Sequence, residues 1–209
     1  IWYCAHVSGI GWLDWACNGA AAGSAGKGRA IEAVKVILVE KGGTAPGSSD
    51  KVFIGDLDAV TVSGSAVSGE SLGSFSGQKA TIGGKGAKLL SSIALSVAGQ
   101  TDDGSISYAV MDEYSGWGSF SSDGGAARAG SGAPIKAIKM SLSGQLAANY
   151  DIWYRVYDSS NGWTGWTSNS QACGVSGGTS GLCGIDIALV NKGQSSPGST
   201  DNAFIEASG

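Results

Sequence analysis

Charged residues are scarce in this sequence, and neither sign dominates. Lys and Arg number 13 and Asp and Glu number 17 among 209 residues, which gives a net charge of −4. Nucleic-acid-binding domains carry a clustered basic excess, so this balance argues against that class. No apolar run approaches the roughly 18 residues that a membrane-spanning helix needs. The sequence therefore predicts neither a nucleic-acid partner nor a membrane span.

Proline and helix signals are also rare, whereas glycine is abundant. The sequence has 3 prolines and 36 glycines, and its glycines are too irregular in spacing for collagen. No stretch keeps the 3.6-residue periodicity and the caps of a helix. Short Val, Ile and aromatic stretches lie between clusters of Gly, Ser and Asn, which predicts strands. With neither an initiator Met nor a leader pattern, the sequence is expected to be a piece of something longer.

A long internal repeat organises the chain. At a shift of 151 residues the first 58 residues align with the last 58 without a gap, and 21 of the 58 pairs are identical. Ile1-Trp2-Tyr3 falls on Ile152-Trp153-Tyr154, and Pro46-Gly47-Ser48 falls on Pro197-Gly198-Ser199. Such self-similarity is typical of structural units that pack against their neighbours.

Shorter copies lie within this period. A shift of 105 residues places Tyr3 on Tyr108 and Gly11-Trp12 on Gly116-Trp117, and an eroded copy follows Val52. The predicted divisions are unit 1 at residues 1–51, the eroded unit 2 at 52–101, unit 3 at 102–149, unit 4 at 150–202 and the opening strand of a fifth unit at 203–209.

Each unit is expected to contain an alternating strand, a second strand with spaced aromatic residues, a small-residue loop and a further alternating strand. One such unit cannot bury its aromatic face alone, whereas three can. The sequence therefore predicts an all-β fold, a Gly-rich antiparallel domain of prism-like or barrel-like form. Three pseudo-repeated units build this domain, and a fourth unit starts the next one.

The first unit resembles a known family of repeats. Tyr3-Cys4-Ala5-His6-Val7, Gly11-Trp12-Leu13-Asp14-Trp15, Asn18-Gly19 and Ile31-Glu32-Ala33 resemble the clostridial hydrophobic repeat with Trp, ChW. Units 3 and 4 keep the Gly-Trp pair, whereas residues 52–99 contain no tryptophan. The resemblance implies an extracellular or surface protein with grouped repeats, and it implies little about activity.

The four cysteines suggest an oxidising compartment. Cys4 and Cys17 fall on two strands of one predicted hairpin, and Cys173 and Cys183 bracket a nine-residue loop. We expect disulfides 4–17 and 173–183, and two other connectivities are open. A zinc site is the alternative, but the sequence has no C-x-x-C spacing and a single His.

Tryptophans offer a candidate carbohydrate site. The indole faces of Trp12, Trp117 and Trp163 would suit sugar rings, whereas the simpler interpretation is that one Trp per unit fills the core and another covers its rim. His6 is expected to lie opposite Trp15 and to pack there, in a structural role.

Acidic residues in turns suggest a calcium site. Asp56, Asp58, Asp102 and Asp103 could supply oxygen ligands to Ca²⁺, although Asp also favours turns without a metal. No other cofactor is expected. With one His and no nucleophile motif in a strand-to-helix context, the sequence predicts no catalytic residues and no enzyme.

The C-terminal residues suggest how copies connect. Pro197 and Gly198 lie in a predicted linker, and Phe204 and Ile205 begin a predicted strand that would pair with a neighbouring copy. We therefore expect a structural subunit of an extracellular filament or surface layer, linked head to tail or as a covalent tandem array. The alternative is a lectin-like adhesion module that binds polysaccharide.

Overall fold

The computed structural model describes residues 1–24, 29–54, 59–98, 104–130 and 132–206. These residues form 21 strands and one short helix, which confirms the prediction of an all-β fold. They divide into two compact parts, one made of the described residues up to 54 and the other of those from 59 onwards.

The N-terminal part has a four-stranded sheet centred on one strand and a separate pair of short parallel strands. Its strands are β1 (Trp2–Val7), β2 (Gly11–Trp12), β3 (Ala16–Cys17), β4 (Gly23–Ser24), β5 (Ile31–Ile37) and β6 (Phe53–Ile54). Strands β2 and β3 are two pieces of one interrupted strand, and both pair with β1 in antiparallel fashion, as β5 does. The interruption turns Leu13 inward, where it packs with Val7 and Ile54.

The C-terminal part contains the eroded unit and two well-preserved units. The eroded unit contributes β7 (Ala59–Ala66), β8 (Ser71–Gly77), β9 (Lys79–Gly83) and β10 (Leu90–Ala98). Unit 3 contributes β11 (Ile106–Asp112), β12 (Gly116–Trp117), β13 (Ser121–Ser122), β14 (Ala127–Arg128) and β15 (Ala137–Leu142). Helix α1 (Gly144–Asn149) leads into β16 (Tyr150–Asp158), β17 (Gly162–Trp163), β18 (Thr167–Ser168), β19 (Cys173–Ser176), β20 (Leu182–Asn191) and β21 (Phe204–Glu206).

Three long antiparallel pairs form the core of this part: β7 with β10, β11 with β15, and β16 with β20. Each unit also gives a shorter strand to another unit. Strand β9 pairs with β20, β14 pairs with β10, and β19 pairs with β15. Units 2, 3 and 4 are thereby joined into one compact part.

One hydrogen bond recurs in every unit that keeps the Gly-Trp pair. The hydroxyls of Tyr3 and Tyr154 donate to the carbonyls of Ala20 and Gln171 at 2.5 Å. Tyr108 donates to Gly125 in the same way. In each case the donor and acceptor are 17 residues apart, so the sequence repeat corresponds to a repeat of contacts.

Two details of the predicted fold are wrong. The described sheets are open and form no closed barrel, and β4 with β6 and β19 with β21 are parallel pairs within an otherwise antiparallel structure. Strands β9 and β15 pair with strands of unit 4, so the described residues of units 2, 3 and 4 form one compact part. Unit 1 is the one that forms a compact part of its own.

The cysteines are all free thiols, so neither predicted disulfide forms. Cys17 lies opposite Trp2 rather than Cys4. Cys4 is two residues along β1 from the residue that faces Cys17, which puts the Cα atoms of the two cysteines about 7–8 Å apart. This distance is too long for a disulfide. The sulfur atoms of Cys173 and Cys183 lie near different carbonyls, those of Tyr154 and Tyr157, which are about 10 Å apart along a strand.

We expect reducing agents to leave the unfolding midpoint unchanged. Under native conditions a thiol reagent should label Cys17 first, because it is partly exposed, and Cys173 only after unfolding. Burial raises the pKa of Cys173 to about 11, which keeps it in the unreactive thiol form. Mass spectrometry of labelled peptides measures the order. A lower midpoint on reduction, with a mass gain of two hydrogens, would contradict this expectation.

Candidate functional site

The three candidate tryptophans occupy equivalent places beside tight turns. Each follows a glycine in the left-handed region, with φ of 98° at Gly11, 70° at Gly116 and 81° at Gly162. A residue with a side chain is strained there, so glycine lets the chain reverse and place the indole beside the preceding strand. Trp12 is 44% exposed and Trp163 is 36% exposed, while Trp117 is half-buried. All three lie at the surface, as a binding site requires.

A cation lies over each of these rings. Lys35 Nζ lies 4.0 Å from the ring centroid of Trp12, Lys139 Nζ lies 4.4 Å from that of Trp117, and the Arg155 guanidinium carbon lies 4.5 Å from that of Trp163. The attraction of a cation to an indole face contributes about 0.5–1 kcal/mol at exposed sites. The arrangement occurs in every unit that has the Gly-Trp pair.

The cation changes its strand between units while keeping its place over the ring. Lys35 lies on β5 and faces Cys4 on β1. In unit 4 the cation lies on the other strand of the pair, because Arg155 on β16 faces Asp186 on β20. Asp186 Oδ2 accepts hydrogen bonds from Arg155 Nε at 2.9 Å and Nη2 at 2.8 Å. Among the described residues no carboxylate forms an ion pair with Lys35, so unit 1 has the more available cation.

Rings from the central strand meet two of these indoles edge-on. His6 contacts Trp12 with centroids 5.2 Å apart, and Tyr157 contacts Trp163 at 5.4 Å. The sequence predicted Trp15 as the partner of His6, which is wrong because the tight turn pairs His6 with Trp12. His6 Nδ1 also lies 3.0 Å from Glu32 Oε2. These contacts fit the packing role predicted for His6.

The second tryptophan of each copy lies under the Pro-Gly-Ser segment. The backbone N–H of Trp15 donates to the Ser48 carbonyl at 2.9 Å, and that of Trp166 donates to the Ser199 carbonyl at 2.8 Å. A Cβ atom at Gly198 would lie only 3.0 Å from Trp166 Nε1, so glycine allows this close approach. Pro197 and Gly198 therefore belong to a loop that covers the indole of their own unit.

Phe204 and Ile205 are paired inside their own chain. They lie on β21, which runs parallel to β19, with Gly174 opposite Phe204 and Val175 opposite Ile205. Strand β6 pairs in the same way with β4 in unit 1. The predicted opening strand of a fifth unit is therefore the closing strand of unit 4, and the predicted boundaries at residues 51 and 202 fall ahead of these closing strands. This pairing lies within one chain, and the inter-subunit strand expected from the sequence stays a prediction.

A buried cation that sequence reasoning missed lies between units 3 and 4. Lys136 is 1% exposed, and its Nζ donates to the carbonyls of Gly178 at 2.7 Å and Ser180, with Gly177 at 3.4 Å. The Glu113 carboxylate lies 3.7 Å away. After one deletion in unit 3, the repeat alignment places Ile31-Glu32-Ala33 on Ile135-Lys136-Ala137, so Lys136 takes the place of Glu32. This charge reversal was the available signal, because opposite charges at equivalent positions indicate different environments.

A buried carboxylate holds a turn of unit 3. Asp112 accepts the N–H groups of Tyr114 and Ser115 through Oδ1 and that of Gly130 through Oδ2, at 2.7–2.8 Å. Burial alone would raise the pKa of Asp112, but these hydrogen bonds to the charged form outweigh it and lower the pKa overall. These contacts leave Asp112 a structural role in which it shapes a loop.

The predicted calcium ligands Asp56, Asp58, Asp102 and Asp103 lie outside the described residues. Within the part of the chain that is described, no group of three or more His, Cys, Asp or Glu side chains could hold a metal ion. Calcium binding stays a prediction.

Comparison with known proteins gives one match. Residues 6–40 match the ChW family model, Clostridial hydrophobic W, which confirms the resemblance read from the sequence. No curated protein and no solved structure matches the chain. None of the described helices has the length and apolar character to cross a membrane. The match indicates a repeat-containing protein and suggests the cell surface as its place.

Proposed function

We propose that this chain is a non-catalytic scaffold module of a tandem-repeat protein that is secreted or displayed at the cell surface. The observation that carries the proposal is the closing device shared by units 1 and 4. In both, the chain after the Pro-Gly-Ser segment returns to pair in parallel with its own unit, through β6 and β21. A unit that ends by closing on itself can be followed by another unit without leaving a strand unpaired.

The repeating body proposed here is the set of units 2, 3 and 4. The exchange of β9, β14 and β19 among these units forms a cycle, since each unit gives one strand and receives one. Such a cycle favours a prism-like arrangement of three pseudo-repeated units. A filament or surface layer would then be built from these bodies in a covalent tandem array, with neighbours meeting through unit surfaces rather than exchanged terminal strands.

The chemistry of the described residues supports a role without catalysis. The side chain of His6, the single histidine, contacts the Glu32 carboxylate and the Trp12 ring. The buried charges Asp112 and Lys136 are bound to backbone groups of loops. Each of these three groups has a structural partner, which supports the proposed scaffold role.

A second candidate function is binding of an acidic polysaccharide. It is favoured by the exposed Trp12 with the cation of Lys35 beside its ring. An indole face suits the apolar side of a sugar ring, and an ammonium group suits a sugar carboxylate. The same cation already occupies one side of the ring, which is why the scaffold is preferred.

The two functions differ in what the tryptophans do. For the scaffold we expect Trp12→Ala and Trp163→Ala each to lower the unfolding free energy by about 1–2 kcal/mol through lost packing. Trp12→Phe, which keeps an aromatic ring, is the matched control for Trp12→Ala. Calorimetric titration of the unchanged chain with polygalacturonate or cellulose should show no saturable binding. Saturable binding of polygalacturonate that Lys35→Met removes, with unfolding unchanged, would overturn the scaffold in favour of binding.

A further inference from the structure

Strand β5 exposes an apolar face in unit 1. Val34, Val36 and Leu38 alternate along β5 and just beyond its end, and they are 59%, 63% and 81% exposed. Val34 lies opposite Ala5, which is buried on the core side of β1. The exposed side chains are therefore on the side of the sheet where a core should form. A continuous apolar stripe of this kind marks an interaction surface.

The equivalent positions of unit 4 are fully covered. A shift of 151 residues leads to Ile185, Ile187 and Leu189 on β20, which are 0%, 0% and 4% exposed. Strand β20 pairs with β16 and also with β9. Strand β5 pairs with β1 alone among the described strands. The two strands are similarly apolar, so the difference lies in the missing neighbour.

Strand β4 is open in the same way. Its equivalent in unit 4, β19, pairs with β15 as well as with β21. Strand β4 pairs only with β6 among the strands that the structure describes. Among the described strands, unit 1 thus has no counterpart of β9 beside β5 and no counterpart of β15 beside β4. In the C-terminal part β9 and β15 both come from residues 59–149.

A cavity beside Ile1 has a counterpart in unit 4 that is filled by a carboxylate. It is lined in part by Asn18, Lys41 and Gly42. In unit 4 the three equivalent residues all donate to the carboxylate of Asp151, which directly precedes Ile152. The donors are Asn169 Nδ2 at 2.8 Å, Lys192 Nζ at 2.8 Å and Gly193 N at 2.9 Å. The cavity therefore fits an aspartate joined ahead of Ile1.

We propose that the open face of unit 1, formed by β4, β5 and the cavity beside Ile1, is the docking surface for two repeat units of the same kind as residues 59–149. These two units are covalently joined to the N-terminal side of Ile1, in the same way that residues 59–151 directly precede Ile152. The proposal rests on the proposed scaffold function and extends it by naming the partner and its register. The partner brings a β9-like strand to β5, a β15-like strand to β4 and a carboxylate to the cavity.

The charges define which β9-like strand fits best. In unit 4 the Thr81 hydroxyl on β9 donates to Asp186 at 2.5 Å. Lys35 occupies the place of Asp186 in unit 1. A carboxylate at the position of Thr81 would therefore pair with Lys35, and a hydroxyl there would pair less well. A Thr81→Asp substitution on the docking strand is therefore expected to strengthen docking.

The test adds a second copy of residues 58–151 directly ahead of Ile1 in the full chain. Hydrogen exchange measured by mass spectrometry on the peptide of residues 31–38, which occurs once in the extended chain, reports on β5. We expect the amides on the open edge of β5 to exchange at least about tenfold more slowly in the extended chain than in the 209-residue chain. Binding of a fluorescent apolar dye should fall in parallel.

Variants in the added copy supply the controls. Ile82→Lys there should restore fast exchange, and Asp151→Asn should restore it in part, while Thr81→Asp should slow exchange further. Unchanged exchange of residues 31–38 in the extended chain would overturn the proposal. Concentration-dependent protection in the 209-residue chain would also overturn it, because a second copy would then cover β5. Neither outcome bears on the scaffold function, which fails only on saturable polysaccharide binding.

Discussion

Replacing Lys136 with Met is expected to lower the unfolding free energy of the C-terminal part by about 3–5 kcal/mol. The substitution keeps the volume of the side chain but removes the donor shared by three loop carbonyls. Buried acceptors without a donor each cost about 1–3 kcal/mol, because they lose water without a replacement. Urea unfolding followed by tryptophan fluorescence measures the change.

A control on the strand that directly follows Lys136 isolates the effect of burial. Lys139 lies three residues later on β15, is half-buried and contacts the rings of Trp117 and Phe120. Lys139→Met should cost only about 0.5–1 kcal/mol, the contribution of an exposed cation–ring contact. Equal losses for the two variants would show that the carbonyl cluster around Lys136 contributes nothing of its own.

Local patterns were sufficient to predict the strands. The alternating residues of Trp2–Val7 and Ile31–Ile37 form β1 and β5, and the repeat alignment places their counterparts in units 3 and 4. The predicted second strand is present but broken into β2 and β3, because Leu13 turns inward between them. Alternation and spacing are properties of adjacent residues, so they can be read from the chain directly.

Pairings between distant segments could not be predicted in this way. Phe204 and Ile205 have the composition of a strand, but nothing in their sequence specifies whether the partner is β19 or another molecule. The grouping of units has the same origin, since it depends on β9 pairing with β20, which lies far along the chain. The disulfide predictions failed through register: a shift of two residues separates Cys4 from Cys17.

The burial of equivalent residues also could not be predicted from the sequence. Lys136 and Glu32 occupy the same place in the repeat, yet one is buried and the other is half exposed. Val34 and Ile185 are both aliphatic, and only the second has a covering strand among those described. Equivalent sequence positions therefore share backbone geometry while their burial depends on which unit lies next to them.

A large effect of a single added methyl group is expected at Gly174, on β19. Its φ of 143° lies in a region that side chains rarely adopt. A Cβ atom there would overlap the Lys136 carbonyl oxygen and lie 2.5 Å from the Cα atom of Ala137 on β15. Backbone on both sides of the contact belongs to paired strands, so it cannot move aside. Gly174→Ala should cost about 3–5 kcal/mol, through overpacking together with backbone strain.

Two other glycines separate these causes. Gly162 has φ of 81°, and a methyl group added there would meet no neighbouring atom within 4 Å, so Gly162→Ala should cost only the strain, about 1–2 kcal/mol. Gly23, the counterpart of Gly174 in unit 1, would meet the end of the flexible Ile31 side chain at 2.9 Å. Because no β15-like strand lies beside Gly23 among the described residues, Gly23→Ala should be milder than Gly174→Ala. Chemical unfolding of the three variants gives the order, and a Gly174→Ala loss no greater than that of Gly162→Ala would mean that β15 yields to the added methyl group.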